Sequence, residues 1–124
     1  MDVNEYQIGG SHYGNGDYQP WDFIIDSDMH YLFGCVLKYV VRWKDKGGIQ
    51  DLRKAIHYLA KAEDECVIYG KYTHHVKMLV INPSYYAFYN AIPKPERDII
   101  TAILLDHLPI AQRTLSALIS ENED

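Results

Sequence analysis

Residues 29–70 read MHYLFGCVLKYVVRWKDKGGIQDLRKAIHYLAKAEDECVIYG, and their spacing decides the fold. Phe33, Val36, Leu37 and Val40 recur at helical spacing and mark one buried face on a helix running from about Met29 to Lys46. Ser27 or Asp28 is placed to cap its start. Gly47 and Gly48 break the pattern, and a second long helix is expected from Ile49 to Tyr69, with Leu52, Ala55, Ile56, Leu59 and Cys66 on its apolar stripe and Gly70 as its stop. Two amphipathic helices joined by so short a turn are expected to pack as an antiparallel hairpin.

Upstream, the run YQIGGSHYGNGDYQP (residues 6–20) is rich in Gly and Tyr and reads as a loop, followed by a short helix over Trp21–Ile25. Downstream, residues 71–83 (KYTHHVKMLVINP) show no helix caps, and Met78–Ile81 reads as a short strand or a buried connection. Further helices are expected over 84–89 and 96–107, with Pro109 interrupting before 111–119 resumes. The expected architecture is all-α: a hairpin with an N-terminal Gly/Tyr-rich loop and a C-terminal helical extension over 71–124. At 124 residues, with 48% hydrophobic and 23% charged residues, the chain suits one globular domain and excludes a disordered or fibrous protein.

The net charge of -5 argues against coating a nucleic-acid polymer, which calls for a broad positive surface. The charge is unevenly spread. Residues 1–30 carry six acids and no Lys or Arg, whereas residues 38–54 hold Lys38, Arg42, Lys44, Lys46, Arg53 and Lys54, half of the chain's twelve basic residues. A local positive patch on an acidic protein suits a small anionic ligand, and the plain alternative is a solvated helix surface.

Projected on helices, Tyr31, Cys35, Lys38 and Arg42 form one stripe, and Asp51, Lys54, Tyr58 and Lys61 another, both expected away from the hairpin's core. Arg offers a fork matched to phosphate oxygens, Lys a mobile point charge, and Tyr a face for a base or a donor for a phosphate. The combination describes a nucleotide or phosphate site whose second wall is the N-terminal loop or another subunit. In that loop Gly9 and Gly10 let backbone N–H groups approach an anion, and Ser11 and His12 can donate to it. The alternatives are ordinary i,i+4 surface stripes and an ordinary turn.

The ordered series Tyr6-Gln7, Gly9-Gly10-Ser11-His12-Tyr13, Gln19-Pro20-Trp21, Phe33-Gly34, Leu37-Lys38-Tyr39, Arg42, Lys46-Gly47-Gly48, Asp51-Leu52, Lys54-Ala55 and Tyr58-Leu59 resembles the SaV-like phage domain family of unknown function. The resemblance covers about residues 5–63. The same domain occurs in a nucleotide kinase of a short-tailed coliphage, so the resemblance implies nucleotide handling during phage infection. It points to His12, Tyr13, Lys38, Arg42, Lys46, Asp51 and Lys54 as site residues. Cys35 stands where the family carries Asn, which removes an amide that would contact a base or sugar.

Phosphoryl transfer normally needs Mg²⁺ held by carboxylates near the phosphates, and around the basic cluster only Asp45 and Asp51 are at hand. No G-x-x-x-x-G-K-[ST] loop is present, and no further cofactor is implied. Asp22, Asp26, Asp28 and His30 have the donor types of a divalent site but read better as helix-start groups. The leading expectation is a phage protein that binds an anionic nucleotide at Ser11, His12, Tyr13, Lys38, Arg42, Lys46, Asp51, Lys54 and Tyr58. It would sequester that nucleotide, for instance a signal molecule of host immunity. One alternative is a deoxynucleoside monophosphate kinase, with Asp51 assisting Mg²⁺. Another is an interaction protein inhibiting a host enzyme. No membrane span and no signal peptide is read, which places the protein in the cytoplasm of the infected bacterium. Apolar surface on Tyr85–Tyr89 and Ile99–Leu105 predicts a homo-oligomer.

Overall fold

A computed structural model of the chain describes residues 17–67 and 69–123. Among them are seven helices and no strand: α1 (Pro20–Asp26), α2 (Tyr31–Arg42), α3 (Ile49–Asp64), α4 (Tyr72–Ile81), α5 (Pro83–Ala91), α6 (Lys94–Leu104) and α7 (Leu108–Asn122). No helix among the described residues is long and apolar enough to cross a membrane.

The all-helical expectation holds, and several boundaries move for physical reasons. Pro20 opens α1 at a position where its missing N–H costs nothing, and the Asp22 carboxylate accepts the Gln19 N–H at 2.8 Å. Ser27 and Asp28 do not cap α2. Ser27 closes α1, Asp28 turns the chain at φ 55°, and the His30 ring Nδ1 accepts the Leu32 N–H at 3.1 Å as the cap. The stop of α3 falls before Gly70, where Cys66 takes a left-handed φ of 55°.

The run Met78–Ile81, expected as strand or connection, is the last part of the helix α4. Its β-branched residues favour extended backbone in isolation, and tertiary packing of His75 overrides that preference. Asn82 ends α4 and caps α5, its Oδ1 accepting the Ser84 and Tyr85 N–H groups. Pro109 does not interrupt a helix either. The chain breaks three residues earlier, at Asp106 (φ 58°), and Pro109 sits in the first turn of α7.

One core joins the elements. Phe33, Val36, Leu37 and Val40 of α2 meet Leu52, Ala55, Leu59 and Ala62 of α3, with Ile99, Ile100, Ile103 and Leu104 of α6 and Ala111, Leu115 and Leu118 of α7 in the same cluster. The most extensive contact is between α2 and α3, followed by α6 with α7 and α3 with α7. Of the apolar surface expected on Tyr85–Tyr89 and Ile99–Leu105, the side chains of Tyr85, Ile99, Ile100, Ile103 and Leu104 are buried within the chain. Leu105 and Tyr86 remain exposed.

The same core reaches α1, α4 and α5 through a group of aromatic rings. The Phe23 ring stacks on Tyr85 at 4.4 Å, and the His75 ring packs edge-on to Tyr89 at 4.6 Å. The Tyr85 hydroxyl shares hydrogen bonds with Ser27 Oγ (2.7 Å) and His75 Nδ1 (2.6 Å), and the Tyr69 hydroxyl donates to the Ser27 carbonyl. Burial holds the His75 ring down at about 4 and pushes the Tyr85 hydroxyl up to about 12, so both groups are neutral at pH 7.

Candidate functional site

The connection of residues 43–48 brings the end of α2 against the start of α3. Asp51, in the first turn of α3, accepts Arg42 Nε at 3.1 Å and the Gly47 N–H at 3.0 Å on Oδ2, and Arg42 Nη2 at 3.4 Å on Oδ1. Lys54 Nζ stands 3.9 Å from the same Oδ1. The carboxylate is 1% exposed and Arg42 18%, so this is a largely buried, forked ion pair at the positive end of a helix. A Cβ at Gly47 would collide with the Asp51 carboxylate, and Gly48 adopts φ 60°, ψ −146°, a region essentially reserved for glycine. The Gly-Gly pair is thus required twice, once for space and once for backbone conformation.

Above this clasp lies Tyr39. Three cations surround its ring: Arg42 Cζ at 4.7 Å from the centroid, Lys38 Nζ at 4.9 Å and Lys54 Nζ at 5.4 Å. Tyr58 stacks beside it at 5.9 Å with planes 19° apart. A shallow recess of about 450 Å³ opens here, lined by Tyr39, Gln50, Arg53, Lys54, His57 and Tyr58. Arg53 on its rim pairs with Glu123 at 2.9 Å, both side chains being about half exposed.

The structure therefore brings together Lys38, Arg42, Asp51, Lys54 and Tyr58 of the expected residues, and gives them different parts. Arg42 and Asp51 are occupied with each other, whereas Lys38 and Lys54 carry their charge at the surface. Asp51 does not lie on an outward stripe, and Cys35 is buried too. The thiol acts beside Tyr31, whose hydroxyl it holds above the ordinary value, with Tyr58 contributing less. Lys61 is drawn to Glu65 at 2.7 Å and lies outside the recess lining. Lys46 is exposed and is likewise not part of the lining. Ser11, His12 and Tyr13 lie outside the described residues.

Sequence reasoning placed Arg53 in the basic run and Tyr39 in the resemblance series without making either a site residue, and left out Gln50 and His57. The signal was present: Gln50, Arg53, Lys54, His57 and Tyr58 follow i, i+3, i+4, i+7, i+8, a single stripe of α3.

The recess lies within a stretch that has known counterparts. Residues 8–60 match the family described as a protein of unknown function, DUF3310. The match spans a little under half of the chain, the same part on which the resemblance series lies. The DUF3310 stretch contains α1, α2 and the connection to α3, and ends inside α3 at Ala60, so every lining residue of the recess falls within it. The helices α4 to α7 fall outside it. No curated protein and no solved structure matches the chain.

The acids near α1 have structural partners. Asp26 accepts the Tyr18 hydroxyl at 2.6 Å and the Asn82 amide at 3.3 Å, and Asp28 pairs with Lys71 at 3.1 Å. Burial and the Asp26 bond together push the Tyr18 hydroxyl well above its ordinary value. Among the described residues no three His, Cys, Asp or Glu side chains are grouped as metal ligands.

Proposed function

We propose that the protein binds a small anionic nucleotide at the recess between α2 and α3 and withholds it rather than converting it. The observation that carries this reading is the Tyr39 ring with Lys38, Arg42 and Lys54 around it and Tyr58 stacked beside it, at the edge of an open recess. Aromatic faces receive a base, and the lysines and Arg53 receive phosphate oxygens. A fitting cargo is a signal nucleotide of host antiphage immunity, met in the cytoplasm of an infected bacterium. Mg²⁺ assistance by Asp51 is disfavoured, because Arg42, the Gly47 N–H and Lys54 already engage both of its oxygens. Its part in this reading is to hold the Arg42 fork and the glycine turn under Tyr39.

The test is incubation of the purified protein with a nucleotide panel: cyclic dinucleotides, cyclic ADP-ribose isomers, and deoxynucleoside monophosphates with ATP and Mg²⁺. The protein is then heat-denatured, and the solution before and after release is resolved by chromatography and mass. A nucleotide depleted from solution and recovered unchanged is the expected result. Conversion of a monophosphate to a diphosphate over many turnovers would replace this reading with the kinase, and no depletion of any nucleotide would retire the site.

A further inference from the structure

Arg53 is shared between the recess and the end of α7. It lines the recess from α3, and its Nη2 donates to Glu123 Oε2 at 2.9 Å, a contact between residues 70 positions apart in the chain. Glu123 directly follows α7 on extended backbone (φ −79°, ψ 145°). The end of that helix is locally unfavourable. A helix C-terminus favours cations, yet the last turn of α7 holds no basic residue and Glu121 and Glu123 put acids there. Arg53 supplies the missing positive charge from α3.

We propose that Glu123 is a built-in competitor for the recess: its carboxylate stands on Arg53 where a phosphate would, and an anionic ligand displaces it on binding. The inference rests on the recess being an anion site, as proposed above. Two arginines adjoin that recess, and their partners differ. Arg42 is held by an Asp51 carboxylate that is 1% exposed and also accepts the Gly47 N–H, so a ligand has no access to exchange with it. Arg53 is held by a half-exposed carboxylate beyond a helix end, where the side chain has room to swing away.

The exchange is chemically favourable. A guanidinium fork grips phosphate through two N–H groups, whereas the contact with Glu123 is one-pronged, Nη2 to Oε2, so a phosphate gains a hydrogen bond over the carboxylate it replaces. Exposed ion pairs are weak, which suits a contact that a ligand must break. The lining of the recess falls within the family stretch of residues 8–60, whereas Glu123 lies outside it, after α7. The C-terminal helices thus add a control that the family stretch does not itself contain: a carboxylate that raises the ligand concentration needed to fill the site.

The experiment is isothermal titration calorimetry of ADP and of inorganic pyrophosphate into the full chain, at about 0.15 M salt so that charges beyond ~8 Å are screened. It compares the wild type, Glu123→Gln, Arg53→Gln and the double variant. Both side chains are about half exposed, so all four proteins should keep the same helical circular dichroism. Glu123→Gln is expected to bind the probes about two- to five-fold more tightly than the wild type, the range for releasing one exposed ion pair. In the Arg53→Gln background the same change should bring no gain. Equal affinity of the wild type and Glu123→Gln overturns the inference and leaves the recess standing as a ligand site. An equal gain in the Arg53→Gln background overturns it too, because the acid then acts through net charge and not through Arg53. Failure of both probes to bind any of the four proteins overturns the inference together with the anion site beneath it.

Discussion

Two side chains one helical turn apart, Lys38 and Arg42, both lie within 5 Å of the Tyr39 centroid and yet do different work. Lys38 is exposed and forms no ion pair among the described residues, whereas Arg42 is clamped by Asp51. Lys38→Ala should therefore weaken nucleotide binding by about 1.5–3 kcal/mol, the range for a lost charged hydrogen bond, with an unchanged melting temperature. Asp51→Asn should instead cost about 3 kcal/mol of stability in urea titrations, because it leaves a largely buried guanidinium without its counter-charge. Titration calorimetry beside the melts separates the two effects. His75 makes a second prediction at this scale. Its folded value of about 4 lies below the unfolded 6.5, so between these values the unfolded chain holds a proton that the native ring does not. The stabilising contribution of the neutral ring is complete above pH 6.5 and is lost as the pH falls toward 4, at up to about 1.4 kcal/mol per pH unit. Urea titrations of the wild type over that window should show the slope, and His75→Gln should flatten it.

At the scale of elements, the join between α2 and α3 depends on two glycines that fail differently when changed. Gly48→Ala places a Cβ on a backbone at φ 60°, which costs about 1–3 kcal/mol in strain and touches nothing, since that position faces open space. Gly47→Ala meets no such backbone strain and instead drives the Asp51 carboxylate off Arg42, so its loss of melting temperature measures the clasp. Calorimetric scans of the two variants give both losses, and a Gly47→Ala protein that melts with the wild type would mean that the clasp contributes nothing. The same logic explains α4. Its residues prefer extended backbone locally, yet His75 bonded to Tyr85 and packed against Tyr89 holds it helical. The caps are equally indirect: His30 serves α2, and Asn82 both closes α4 and opens α5.

Over the whole molecule, α2, α3, α6 and α7 share one apolar cluster, so the matched stretch and the remainder should not unfold separately. Trp43 is buried in that cluster while Trp21 is about half exposed, which makes tryptophan fluorescence a report mainly on the core around α2. Leu115→Ala on α7 should cost about 2–5 kcal/mol, and its fluorescence and far-UV transitions should stay superimposed. Separate transitions would divide the chain into two folding units.

What could be read directly was whatever depends on local spacing: an all-helical chain, the two long amphipathic helices, the glycine break between them and the cationic run around it. Hydrophobic period and glycine conformation act within a few residues, so no partner is needed to see them. The parts that escaped depend on groups distant in the chain. Whether Met78–Ile81 is strand or helix depends on His75 and Tyr85 with Ser27 across the fold, and α3 ends at Asp64, with Cys66 turning the chain, rather than at the glycine that local chemistry favours. The roles within the recess divide in the same way. Sequence spacing could put Arg42 and Asp51 near a common site, but only packing shows that they neutralise each other. Lys38, Lys54 and His57 stay exposed around the recess, and Arg53, exposed as well, is paired with Glu123, because burial and pairing together determine which side chains a ligand can reach.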